Sequence, residues 1–158
     1  MTKGPTAFLR TLVVLLGIGA LAFLLWEPHL EGRNAHATLF EIYFKDPFLA
    51  FVYLGSVPFF LGLHHAFKVL GHAGRGEECS PSAVRSLRII KHCAIALVGF
   101  VAVAEVLILL APSDDRAGGV AMGVFVGFAS IVVATAMSVL ERSLQNAVAM
   151  KSENDLTV

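Results

Sequence analysis

Titratable side chains are scarce in the apolar stretches of this chain, so those that do occur there are the first candidates for chemistry. Glu105 is the clearest, a single carboxylate inside the run from Cys93 to Ala111. It lies six residues inward of Ala111, about 9 Å along a helix. An ionisable group at that depth in a membrane is expensive and marks a functional-site hypothesis, and desolvation favours its neutral form. It can act structurally, by hydrogen bonding to another span, or it can handle protons or ions. His64, His65 and His92 fall at similar depth near the opposite face. His64 and His92, on neighbouring spans, are the pair that could ligate a haem axially. Arg85, Arg88 and Lys91 place one basic group per turn ahead of the apolar run, a row suited to anionic lipid headgroups or a protein partner. The tail ends Asp155-Leu156-Thr157-Val158, and the aliphatic Val158 and a free carboxylate could be captured by a soluble protein, with Asp155 and Leu156 part of the bound segment. The sequence holds no Ser/His/Asp cluster, phosphate-cradling glycine loop, HExxH or paired catalytic carboxylates. The expectation is a protein that is not an enzyme, needs no cofactor and does not contact nucleic acid directly.

The elements that position these residues follow from composition and punctuation. Of the 158 residues, 56% are hydrophobic and 15% charged, with a mean hydropathy of +0.75. So small a soluble fold could not bury that much apolar surface. Four windows, at about 8–26, 47–68, 89–111 and 119–140, each approach the ~20 residues that cross a bilayer. The reading is one all-α membrane domain over 1–158: four transmembrane helices in an antiparallel bundle, with a tail at 141–158. Ser80-Pro81 starts the third helix, as N-cap and first-turn proline, and Pro112 ends it. From Pro81 to Ala111 such a helix measures roughly 46 Å, so its basic turns must protrude from a core of about 30 Å.

Charge gives the orientation. With the N-terminus cytoplasmic, nine of the twelve basic residues lie inside, and only Arg33, Lys45 and Arg116 lie outside, beside six acids. Both termini are therefore expected in the cytoplasm. Cys79 and Cys93 then face a reducing compartment and are expected to be free thiols. Ala20-Leu21-Ala22 resembles a cleavage site, but Phe23-Leu24-Leu25-Trp26 continues the apolar run, so the first span is read as retained. Pro58 should kink the second span near Leu54. The aromatic half of the outer loop, Leu39 to Phe44, is expected at the membrane interface. Gly119, Gly123, Gly127, Ser130, Ala134 and Ser138 put small residues on one face of the fourth span. That face suits close packing within the chain or, alternatively, a homo-oligomer seam. Leu144 and Val148 continue an apolar stripe into the tail, with no membrane left to cover them.

The stretches Asp46-Pro47-Phe48, Ala66-Phe67-Lys68-Val69-Leu70, Cys79-Ser80-Pro81-Ser82-Ala83-Val84-Arg85-Ser86-Leu87-Arg88-Ile89-Ile90-Lys91 and the Asp-Leu-Thr-Val end resemble a bacterial membrane family, domain of unknown function 2975. The resemblance implies a bacterial inner-membrane protein without an established activity. It also implies a cytoplasmic partner, a small helix-turn-helix regulator encoded beside such proteins. The leading functional expectation is thus a non-catalytic membrane regulator or anchor. A small transporter or channel-like protein using Glu105 is the alternative, and a haem-binding membrane protein the third.

Overall fold

The computed structural model describes residues 3–30, 38–44, 47–77, 79–110 and 116–156. Among these residues five helices follow in order: α1 (Lys3–Leu30), α2 (Leu39–Phe44), α3 (Pro47–Gly74), α4 (Pro81–Leu110) and α5 (Arg116–Leu156). The four long ones are each long and apolar enough to cross a membrane. α1 and α5 exceed their sequence windows at both ends, α3 at its C-terminal end and α4 at its N-terminal end, because helix propensity does not stop where the hydrocarbon does. α1 runs through Ala20-Leu21-Ala22 without a break, and α3 continues through Pro58.

Punctuation residues set the ends. Ser80 caps α4: its Oγ accepts from the Ala83 amide at 3.3 Å, and Pro81 takes the first helical position. α3 closes in a Schellman arrangement. Gly76 adopts φ of +74°, the amide of Glu77 reaches the His72 carbonyl, and that of Gly76 reaches the Ala73 carbonyl. α2, which the sequence reading treated as loop, is started by a capping box. Thr38 Oγ1 and the Thr38 amide donate to Glu41 Oε2, and the Glu41 amide donates back to Thr38 Oγ1. The stretch joining α4 to α5, with Pro112, lies outside the described residues.

The helices pack antiparallel in chain order, α1 on α3, α3 on α4 and α4 on α5, so the bundle is opened into a row. Small residues set the spacing. Gly17 faces Leu63 between α1 and α3, while Gly55 faces Phe100 and Gly62 faces Cys93 between α3 and α4. Between α4 and α5 the facing pairs are Ile108 with Gly119, Glu105 with Gly123, and Val101 with Gly127. The small-residue face of α5 is therefore spent on packing within the chain. At the end away from the termini, α2 is tied back to α1. Tyr43 Oη donates to the Leu25 carbonyl at 3.0 Å, and Tyr53 Oη of α3 donates to the Leu24 carbonyl at 2.9 Å.

The core is thin. Among the described residues Ala83, Val84, Leu87, Ile90, Cys93 and Ala94, all of α4, form the buried core, and Pro28 of α1 is fully buried apart from it. Phe, Leu, Ile and Val side chains elsewhere stand exposed in numbers, among them Phe8, Leu15, Phe125, Phe128 and Leu109. Patches of that extent are untenable in water and natural against lipid. It is a membrane protein whose buried core lies along α4, with α1 held on the far side of α3.

Candidate functional site

The starts of α1 and α4 and the ends of α3 and α5 share one end of the molecule, and most of its basic residues gather there. Two of the three cations in the row ahead of the apolar run are already engaged. Arg88 Nε donates to Glu141 Oε1 at 2.7 Å, and Lys91 Nζ donates to Glu141 Oε2 at 2.6 Å. Gln145 Nε2 adds a third donor at 3.2 Å, to Oε1. Glu141 is the buried member, with 7% of its side chain exposed against 52% for Arg88 and 23% for Lys91. A carboxylate with three donors is well satisfied, and two cations to one anion leave the cluster net positive.

Arg88 and Lys91 already share Glu141, which the small-residue register of α5 delivers opposite them, while about half of the Arg88 side chain stays exposed. Arg85 is exposed and makes no ion pair with another described residue. Asp155 and Leu156 close α5, and Val158 lies outside the described residues. Leu144 and Val148 are half-buried, and Val148 faces the start of α4 across a cleft, so the stripe finds cover on the protein itself.

That cleft, of about 1070 Å³, is a feature the sequence did not reveal. One side is α4, from Pro81 through Arg85, Arg88, Ile89 and Cys93 to Ala96. Its outer half is walled by Gln145, Val148, Ala149 and Ser152 of α5, and its inner half by Pro58 and Leu61 of α3. The cations sit in the outer half, and the inner half is apolar except for His92.

Glu105 stands apart from this site. Its Oε1 is buried and has no hydrogen-bond partner among the described residues, so the expected bond to another span is not made there through that atom. The space it fills is the one a Cβ at Gly123 would take. The histidines are also dispersed. His64 is exposed with its ring edge-on to His65, while His92 is exposed with Nδ1 2.7 Å from the Arg88 carbonyl of its own helix. His65 and His72 of α3 meet α4, His65 at 3.3 Å from Ser86 Oγ and His72 Nε2 at 3.4 Å from Ser82 Oγ. Among the described residues no three His, Cys, Asp or Glu side chains are grouped for a metal. Cys79 is exposed, Cys93 is buried, and both are free.

Two further polar contacts at this end escaped the sequence reading. Thr6 and Arg10, one turn apart on α1, pack on α3, with the Arg10 guanidinium 4.2 Å above the Phe67 ring and close over Gly71. A cation over a ring face in a desolvated place contributes up to about 2 kcal/mol. In the α3–α4 connection, Arg75 Nε donates to Glu77 Oε2 at 3.1 Å. The Arg75 hydrogen bond, then the neighbouring His72, hold the Glu77 carboxyl below its usual range.

Comparison with known proteins agrees with this architecture. The family model described as "Protein of unknown function (DUF2975)" matches residues 32–158. The chain is also similar to the "Uncharacterized membrane protein YoaS" of Bacillus subtilis (strain 168), at 35% identity over 160 residues covering all of both proteins. No solved structure matches.

Proposed function

The chain belongs to the DUF2975 family of proteins of unknown function, and from that premise we propose that it is a non-catalytic membrane regulator or anchor docking a cytoplasmic protein. The observation that carries the proposal is the length of α5. Its 41 residues make a helix of about 62 Å, twice the thickness of a bilayer core. Glu141 is level with the first turns of α4, so residues 142–156 project about 22 Å beyond that point. The projecting part carries exposed Asn146 and Lys151 together with Met150, which is 63% exposed. An exposed apolar side chain among polar ones, beyond the bilayer, is the pattern of a docking helix. The excess of Lys and Arg at this end favours the cytoplasmic face of a bacterial inner membrane. The small helix-turn-helix regulator implied by the family resemblance is the first partner to test.

Removal of residues 153–158 tests the proposal while sparing Ser152, which lines the cleft. The expected result is unchanged thermal stability of the detergent-purified protein and loss of the co-purifying partner. Lost stability with an unchanged set of bound proteins would show instead that the tail serves its own fold. A second reading, proton or cation handling, rests on the buried and unpartnered Glu105 Oε1. Proteoliposomes carrying Glu105→Gln test it: a leak or transport activity that survives the change leaves Glu105 a packing residue.

A further inference from the structure

The cleft along α4 is graded from charged to apolar, and its dimensions are those of one membrane leaflet. Along α4, Arg85 and Ala96 are separated by about 16 Å, against about 15 Å for half of a bilayer's hydrocarbon core. Arg85 and Arg88 line the outer half; Ile89, Cys93 and Ala96 of α4 with Leu61 and Pro58 of α3 line the inner half, in which His92 is the polar residue. No acidic side chain is among the lining residues, and Glu141 beside them is already occupied by its own donors. The charge left at the mouth is positive.

We infer that this cleft is a binding site for one anionic phospholipid of the adjacent leaflet. The phosphate sits between Arg85 and the exposed face of Arg88, and an acyl chain lies along Ile89, Cys93 and Ala96 toward Pro58. Two features favour a lipid over a protein helix. The polarity falls from the cations at one end, past His92, to an apolar end, as an amphiphile's does. The position also places the cations where headgroups lie, and juxtamembrane cations favour anionic headgroups by about fivefold in affinity each. Gln145 and Ser152 of α5 supply polar groups at the mouth. The site goes beyond the docking role proposed for the α5 tip and does not depend on it.

Native mass spectrometry of the detergent-purified full chain, titrated with palmitoyl-oleoyl phosphatidylglycerol or phosphatidylcholine, tests the assignment. The wild type is expected to retain one phosphatidylglycerol at least fivefold more tightly than phosphatidylcholine. Arg85→Gln should lower the phosphatidylglycerol affinity about fivefold and leave phosphatidylcholine unchanged. Ala96→Phe fills the apolar half and should weaken both lipids. Arg142→Gln changes an exposed cation that does not line the cleft and should alter neither. Inorganic phosphate should not compete. Equal affinity for the two lipids, equal losses in Arg85→Gln and Arg142→Gln, or full competition by phosphate would each overturn the site. So would a dimer that Ala96→Phe dissociates in place of a lipid adduct. Should Ala96→Phe fail to fold, the comparison of Arg85→Gln with Arg142→Gln decides alone.

Discussion

Replacing Glu141 by Gln keeps the side chain's shape and one acceptor but removes the charge that Lys91 and Arg88 share. The magnitude follows from the exposure of each partner. Arg88 is 52% exposed and can turn to water, so its contact is worth roughly 0–1 kcal/mol. Lys91 is 23% exposed and lies 2.6 Å from the carboxylate, where a charged hydrogen bond contributes about 1.5–3 kcal/mol. Full breakage of a buried pair costs about 3–5 kcal/mol, but the open side of this cluster and the retained amide oxygen reduce that. Glu141→Gln is therefore expected to cost about 2 kcal/mol, read from reversible unfolding in mixed micelles titrated with dodecyl sulfate. Lys91→Met should cost more than Arg88→Gln. Combined with Glu141→Gln, Lys91→Met should add less than it costs alone, with a coupling of about 1–2 kcal/mol. Strict additivity, or a larger effect at Arg88 than at Lys91, would refute the reasoning.

Gly123→Ala places a methyl group where Glu105 Oε1 lies and should cost about 1–3 kcal/mol by overpacking. Most of that cost should vanish in a Glu105→Ala background, and an equal cost in both backgrounds would contradict the packing role. Glu77 titrates below the ordinary carboxylate value of about 4.3 because Arg75 and His72 favour its charged form. Its contribution to loop order is thus complete above that value and is lost as pH falls through the lowered one; a carbon NMR titration should show the low midpoint and its return toward normal in Arg75→Gln. A membrane-impermeant maleimide should label exposed Cys79 in inverted but not right-side-out vesicles, and should spare buried Cys93 in both.

Much of this architecture is legible from the chain. Ser80-Pro81 starts α4 as its chemistry requires, and the small residues from Gly119 to Ser138 mark the face of α5 that meets α4. The same periodicity, carried three residues further, reaches Glu141. A hydropathy window stops short of it, because the Glu141-Arg142 pair reads as the start of a solvated tail. The pairing with Arg88 and Lys91 depends on helix register over some fifty residues of sequence, which no local pattern specifies. α2 carried a readable signal in Thr38 and Glu41, a capping box hidden by the aromatic residues around it. Arg10 was countable as an inside charge, but its seat over Phe67 follows only from how α1 meets α3. The cleft is tertiary in origin, since Pro58 of α3 and Ser152 of α5 are brought to one surface only by packing on α4.

The docking role rests on the projecting end of α5, and site-specific photocrosslinking in living cells tests it most directly. A photoreactive residue at Asn146, exposed on that end, is compared with one at Val132, exposed within the apolar part of the same helix. The account predicts a discrete adduct with one soluble protein from position 146, lost when residues 153–158 are removed, and only lipid adducts from position 132. Lipid or self-adducts alone from both positions would contradict it.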